Sequence, residues 1–416
     1  MSEHTRQKSR RDLLRFLLAS PLLALGSASG FAQSRSAPQS LPDPMRWAPR
    51  DLDNLISRAS EAANVFDFEP VARKNMPPAH FGYMVGGVDD DVTLRANREG
   101  FLKFQLRPRR LVDVSRIDMS TDILGTRYDT PIFICPTASN RAFHPEGEVA
   151  VAKAARAGNH LQMLSNVATT SVEEATAARG APIWFQLYAS PKWEIAEALA
   201  KRAERAGCTA IVLTIDDLGG RNQETYNRLR RTDTSQCSAC HPPGSSYLAR
   251  KPNYDGLDMA GVPTVLAPQL TWDFIKRLRD AVRTRIVLKG IMAHEDARLA
   301  AAAGVDAIIV SNHGGRTEDS GRSTIDALPE IIAAAGDRLP VLVDSGFRRG
   351  TDIVKALAMG ARAVGIGRPC LWGLGAFGQE GVERVLALLR IELRTAMQQC
   401  GAPSIRDLTP AMVRRA

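Results

Sequence analysis

From about Pro131 onward the chain repeats one pattern: a short apolar run, a polar or glycine-rich end, then an alanine-rich amphipathic segment. The apolar runs occupy residues 132–135, 161–164, 183–187, 210–214, 285–289, 307–310, 341–344 and 363–367. Runs this short, bounded by turn residues, read as buried strands. Helical segments such as 146–157, 171–178, 193–206, 295–303, 351–359 and 381–399 fall between or after them. Strands that alternate with helices imply a parallel sheet, and eight such units predict a closed (β/α)8 TIM barrel. A doubly wound open sheet is the competing architecture. It needs a glycine-rich fingerprint after the first strand, and Pro136-Thr137-Ala138-Ser139 is not one. With 416 residues, 44% of them hydrophobic, the chain can fill one such barrel and still carry extensions.

Two stretches lie outside the repeat. An N-terminal extension precedes the barrel, with helical readings at 52–61 and 79–100. After the fourth strand comes a long loop, residues 217–270, rich in Gly, Pro, Ser and Arg. An insertion of that size in a compact barrel is functional or mobile.

The first residues read as an address. Arg10-Arg11, followed by Leu13-Leu14, precede an apolar run over 16–28, and Gly30-Phe31-Ala32 suits cleavage after Ala32. The arginine pair resembles a twin-arginine signal, which exports proteins already folded around a cofactor. The expected organisation is a signal peptide at 1–32, a Ser/Pro-rich linker at 33–50 and one domain at 51–416. The expected location is the periplasm, with an uncleaved membrane anchor facing the periplasm as the alternative. Part of the formal charge of +9 belongs to this address, since residues 1–32 hold five basic and two acidic side chains. The remaining +6 shows no dense basic run interleaved with aromatics, so nucleic-acid binding is not supported. No metal site is expected.

In a TIM barrel the active site is built from the carboxyl ends of the strands. Here those ends carry Pro136, Thr137 and Ala138; Ser165; Gln186 with Tyr188; Thr214 with Asp216; Lys289; His313 with Arg316; Asp344 with Gly346; and Gly367 with Arg368. The densest is Ser311-Asn312-His313-Gly314-Gly315-Arg316. A histidine accepts a proton near neutral pH. An arginine three residues on can grip a carboxylate with two parallel hydrogen bonds. The pattern predicts proton removal beside a carboxylate, and Asp216 is the candidate to orient His313. The glycines after the seventh and eighth strands, with Arg348 and Arg368, predict a phosphate site. Lys289, ending the fifth strand, suits an anion or an electron-rich ring; a Schiff base or a structural ion pair are its other readings.

Together these residues resemble the FMN-dependent α-hydroxy acid dehydrogenase/oxidase family, which includes glycolate oxidase, L-lactate dehydrogenase and mandelate dehydrogenase. The resemblance runs from about Phe66 to Pro410. It includes Arg107-Pro108-Arg109, His144-Pro145-Glu146-Gly147-Glu148, Phe185-Gln186-Leu187-Tyr188, the hexapeptide ending at Arg316, and the stretch from Asp344 to Gly350. It implies FMN as cofactor and oxidation of a small L-2-hydroxy acid, lactate-like, to the 2-oxo acid. His313 would be the base, with Asp216 holding its imidazolium. The hydroxyl proton goes to His313 as a hydride passes to the flavin, or His313 takes the α-proton in a carbanion route. Arg316, Tyr83 and Tyr188 would bind the substrate. Pro136, Thr137, Ala138, Ser165, Gln186 and Thr214 would contact the flavin ring, and Lys289 would stabilise its reduced form. Asp344, Gly346, Arg348, Gly367 and Arg368 would hold the ribityl chain and phosphate. Homo-oligomerisation is implied, and oxygen, a quinone or a cytochrome are the candidate electron acceptors.

Three departures from the family pattern stand out. Equal-length alignment puts Gln223 where the family carries a second carboxylate-binding arginine, while Arg221 lies two residues earlier; both are candidates for that position. Val167 stands where some members place an aromatic over the substrate, which predicts a roomier pocket. The long loop contains Cys237-Ser238-Ala239-Cys240-His241, the attachment pattern of a covalent c-type haem; a disulfide, a metal clip or an incidental loop are the other readings. Cys135, Cys208 and Cys370 read as packing residues. Two other functions compete: another FMN-barrel enzyme, such as type 2 isopentenyl-diphosphate isomerase, and a flavin-binding electron-transfer protein with a degenerate substrate site. The His313/Arg316 pair argues against the first. The second predicts a flavin that hydroxy acids do not bleach.

Overall fold

The computed structural model describes residues 55–235, 247–248, 250–262, 264–336 and 339–416. The expected signal peptide and linker, and the Cys237/Cys240/His241 motif, lie outside the described residues.

All eight expected strands form, as one parallel sheet. They are β1 (Ile132–Ile134), β2 (Met163–Ser165), β3 (Trp184–Tyr188), β4 (Ala210–Thr214), β5 (Arg285–Ile291), β6 (Ala307–Val310), β7 (Val341–Val343) and β8 (Ala363–Ile366). Each pairs with its successor from β2 to β8, and β8 returns to β1. A single bridge between Ile134 and Gln162 joins β1 to β2. The runs are apolar throughout because parallel strands are covered on both faces. Alternate residues then separate. Phe133, Met163, Trp184, Val212, Val287, Ile309 and Leu342 fill the barrel interior. Ile134, Leu164, Phe185, Leu213, Leu288, Val310 and Val343 face the surrounding helices. A hairpin of Thr121–Ile123 with Thr126–Tyr128 adds Ile123 and Tyr128 to the interior cluster.

The helices are α1 (Phe68–Asn75), α2 (Pro78–Val85), α3 (Val92–Glu99), α4 (Gly147–Ala157), α5 (Val172–Arg179), α6 (Trp193–Arg205), α7 (Glu224–Arg231), α8 (Trp272–Ala281), α9 (His294–Ala302), α10 (Thr324–Ala335), α11 (Gly350–Ala358) and α12 (Arg368–Cys400). Several readings need correction. The stretch 79–100 is not one helix but α2 and α3. Gly87 separates them because a Cβ there would lie 2.5 Å from the Gly315 carbonyl, and Asp91 takes a left-handed φ of 58°. Within 52–61, the described residues form only a 3-10 turn, Ala59–Glu61. The last helix begins at Arg368, well before 381, and breaks at Phe377 and Gly378, where φ/ψ leave the helical range. The long loop 217–270 is not featureless either: it contains α7 and a 3-10 turn, Pro252–Tyr254. Cys135, Cys208, Cys370 and Cys400 are free and buried.

Candidate active site

The strand ends converge on one cleft at the mouth of the barrel, the usual place for a binding site in this architecture. Its walls bring together Tyr83, Pro136, Thr137, Ala138, Ser165, Gln186, Tyr188, Thr214, Arg221, Lys289, His313, Arg316, Asp344, Gly346, Arg348, Gly367 and Arg368. Of the described catalytic, substrate and cofactor candidates, Asp216 and Gln223 are absent from this wall, and Asp216 stands directly behind His313.

The loop after β6 sets the centre. His313 takes a left-handed φ of 56° and is followed by two glycines at 71°. A non-glycine residue there is strained and persists only when its surroundings hold it. They do so from several directions. Ser311 Oγ accepts from the His313 amide at 3.2 Å, and Ser345 Oγ accepts from the Gly314 amide at 3.0 Å. The buried Asn312 and Asn97 side chains exchange two hydrogen bonds, at 2.8 and 2.9 Å. Gly315 lies against α3, where a Cβ would stand 2.6 Å from the Leu94 nitrogen.

Held this way, His313 turns Nδ1 to Asp216 Oδ1 at 2.8 Å. A carboxylate can only accept, so this contact assigns the proton to Nδ1 and leaves Nε2 with its lone pair. Burial pushes His313 below its ordinary 6.5; Asp216 opposes that, and Lys289 and Arg221 reinforce it. For Asp216, burial works to raise the pKa, but His313 and Lys289 prevail and hold the carboxyl below its usual value. The pair is a neutral base backed by an ionised carboxylate. Space for Asp216 comes from a bulge in β5: Gly290, at φ 120°, passes so close that a Cβ would sit 2.7 Å from Asp216 Cβ.

Around Nε2 stand groups suited to an anionic substrate. The Tyr188 hydroxyl is 3.4 Å away and Arg221 Nη2 is 3.3 Å away. Burial raises the Tyr188 phenol to about 12, so it stays protonated. Arg316 lies over the Tyr83 ring, 4.8 Å from its centroid, and donates to the Tyr83 and Gly86 carbonyls at 2.6 and 3.1 Å. Arg221, not Gln223, occupies the place beside His313. Gln223 lines a separate chamber with His80, Tyr226 and Arg230. Val167 is buried in the hydrophobic core and is not among the residues lining the cleft.

The other wall is a buried polar chain across three successive strands. Ser165 Oγ donates to Gln186 Oε1 at 2.9 Å, and Gln186 Nε2 donates to Thr214 Oγ1 at 2.9 Å. Lys289 Nζ donates to Ser311 Oγ at 2.8 Å and lies 3.5 Å from Asp344 Oδ2. Burial opposes its charge, but Asp344 and Asp216 together hold the ammonium above its ordinary value. Farther along, Gly367 opens α12 with no side-chain cap, and a Cβ there would meet nothing closer than Cys135 Cβ at 3.9 Å. Arg348 lies beside it over the Trp372 ring. Arg368 borders the cleft, but its guanidinium donates to the Met84, Gly314 and Gly86 carbonyls at 3.1, 2.8 and 2.8 Å. It ties the end of α2 to the His313 loop, a role that sequence reasoning did not foresee.

Four other contributors were missed. Gly290 had a readable signal, since a glycine inside a strand marks a bulge or a close approach. Asn97 and Ser345 lie within stretches that match the family pattern, 93–98 and 344–350, but their individual roles depend on contacts between remote segments. Asp217 stood in view as the second of two adjacent aspartates.

Comparison with known proteins gives the family and supports the fold. The chain matches the family described as FMN-dependent dehydrogenase over residues 72–415. It is 41% identical over 367 residues to glycolate oxidase 1 of Oryza sativa subsp. indica, covering 85% of this chain and 96% of that protein. It is 39% identical over 362 residues to an L-lactate oxidase of Lysinibacillus sphaericus (strain C3-41), covering 86% and 94%. Among solved structures, a soluble mutant of the membrane-associated (S)-mandelate dehydrogenase from Pseudomonas putida superposes with a TM-score of 0.77 at 36% identity, covering 85% of this chain and 99% of that one.

Proposed function

The chain belongs to the FMN-dependent dehydrogenase family, and from that premise we propose that it oxidises a small L-2-hydroxy acid to the 2-oxo acid. The cleft fits FMN. One wall offers both the buried Ser165–Gln186–Thr214 chain and, from the next strand, Lys289 to a polar ring edge. Gly367 leaves open space at the uncapped start of α12, beside Arg348, where a phosphate would be favoured. Pro136, Thr137, Ala138, Asp344 and Gly346 complete that enclosure. When bound, FMN supplies a two-electron acceptor.

The observation that carries the reading is the His313–Asp216 pair, with Nε2 facing Tyr188 and Arg221. Arg316 and Arg221 would hold the substrate carboxylate, while Tyr83 and Tyr188 shape the space around the carbinol. His313 takes the hydroxyl proton at Nε2 as the α-hydrogen leaves with its electron pair. Asp216 then faces the new imidazolium and stabilises it. The twin-arginine-like address supports action in the periplasm; the family resemblance implies a homo-oligomer, and oxygen, a quinone or a cytochrome are the candidate final acceptors.

The test is direct. The FMN-loaded protein is mixed without oxygen with L-lactate, glycolate or L-mandelate, and the flavin absorbance is followed. Bleaching by at least one supports the proposal. A flavin left unbleached across a broad panel of 2-hydroxy acids overturns it.

A further inference from the structure

We propose that Asp217 is a positioning residue that presents Arg221 to the substrate carboxylate. The inference rests on the hydroxy acid reading above. Asp216 and Asp217 are adjacent, yet their carboxylates serve different partners. Asp216 faces His313, while Asp217 receives two hydrogen bonds from Arg221. Nε donates to Oδ1 at 3.2 Å and Nη2 donates to Oδ2. This is the two-pronged geometry that gives an arginine–carboxylate pair its directionality.

The setting makes that directionality matter. Asp217 has a side-chain exposure of 4%, so its charge is desolvated and needs its partner. Between the two residues lie Leu218, Gly219 and Gly220. A Cβ on Gly219 would meet nothing within 4 Å, and Gly220 adopts a φ of 89°. A backbone this lightly packed does not aim a long side chain by itself. The ion pair does, and it leaves Nη2 3.3 Å from His313 Nε2 and 3.5 Å from the Tyr188 hydroxyl. Two of the five guanidinium N–H groups are spent on Asp217 and the second on Nη2 faces Tyr188 and His313, so the two on Nη1 remain for an incoming anion. Asp217 contacts neither His313 nor Tyr188 by any hydrogen bond among the described residues. Its influence on the reaction runs through Arg221.

Asp217→Asn keeps the shape and removes the charge. The probe is oxalate, a carboxylate read by its perturbation of the FMN spectrum of the holoenzyme. The expected result is oxalate binding weakened about tenfold or more, from loss of a charge-assisted, two-pronged contact. With a reducing hydroxy acid, half-saturation should rise similarly, while the limiting rate of flavin reduction stays within about threefold. Arg221→Gln should weaken binding too, and Asp217→Asn/Arg221→Gln should be no worse than Arg221→Gln alone. Additive losses would mean that Asp217 acts structurally and would overturn the proposal. So would unchanged or tighter oxalate binding by Asp217→Asn, the latter showing that Asp217 sequesters Arg221. Failure of oxalate to bind the wild-type holoenzyme removes the clamp itself. If no hydroxy acid bleaches the flavin, the proposed function fails, and the oxalate titration still decides on Asp217.

Discussion

Replacing Asp216 with asparagine isolates the charge that backs the base. Asp216 Oδ1 lies 2.8 Å from His313 Nδ1, and both side chains are largely shielded from solvent. When His313 takes a proton, an imidazolium forms against this carboxylate. For charge centres about 4 Å apart, an effective dielectric near 20 gives an attraction of about 4 kcal/mol. Losing it should slow proton transfer by roughly a thousandfold, and by at least about thirtyfold if solvent reaches half of that energy. Anaerobic stopped-flow measurement of flavin reduction at saturating hydroxy acid reads this rate. The pH dependence gives an independent check. His313 works as a neutral base, so kcat/KM rises with pH through its pKa. Burial already places that midpoint below 6.5, with Asp216 resisting the shift. Removing Asp216 lets it fall further, so the acid limb should move to still lower pH while the plateau drops. Asp216→Asn protein loaded with FMN that keeps a rate within threefold of wild type would refute the reasoning. An acid limb displaced upward would refute it as well.

Lys289 should set the flavin's potential: with its buried ammonium gone, Lys289→Met protein should show a two-electron midpoint lower by tens of millivolts in dye equilibration, and an unchanged midpoint sinks that role. His160 should govern acid stability. It is fully buried, with Nδ1 3.1 Å from the Ile132 carbonyl, and burial pushes it down to about 4 against an ordinary 6.5. The unfolded chain therefore takes up a proton first, so this contribution is intact above 6.5 and is lost as the pH falls toward 4, in total about 3 kcal/mol. Urea midpoints across that range should fall more steeply for wild type than for His160→Asn; parallel curves would contradict this. Two glycines should respond in opposite ways. Gly346→Ala places a Cβ 2.0 Å from the Asn97 carbonyl oxygen at a φ of 86°, and should cost more than about 4 kcal/mol, seen as lost soluble protein. Gly375→Ala meets the flexible end of Met76 at 1.8 Å and the Ala72 Cβ at 3.3 Å, with no backbone atom in the way, and should leave the melting temperature within a few degrees of wild type.

The barrel was legible because its signal is local. Each strand is a short apolar run, and both its faces are covered in the final fold, so composition and length sufficed. The His313–Arg316 chemistry was legible for a related reason: two functional side chains share one strand end. Legibility failed where distant segments decide the outcome. Residues 79–100 are broken at Gly86-Gly87, a dipeptide that marks a turn, and the approach of Gly87 to Gly315 holds the break in place. Helix α7 has no buried residue of its own, so no core stripe announces it. Alignment of equal lengths offered Gln223, because spacing cannot describe how Gly219 and Gly220 turn the chain. The ion pair with Asp217 shows why the arginine two positions earlier reaches His313.

The packing of α7 on α2 has a consequence for how such a molecule can change over generations. Gly82 lets the helices touch, with Tyr226 Cα and Leu229 Cδ1 each 3.1 Å from where its Cβ would stand. Tyr83 comes from one helix of this pair and Arg221 from the segment leading into the other, whereas the opposite wall belongs to the barrel strands. Selection can therefore revise part of the proposed substrate face, Tyr83 and Arg221, by remodelling two appended segments, while Tyr188 and Arg316 stay tied to the barrel. The half that would hold the flavin, woven into the strands, is left as it was.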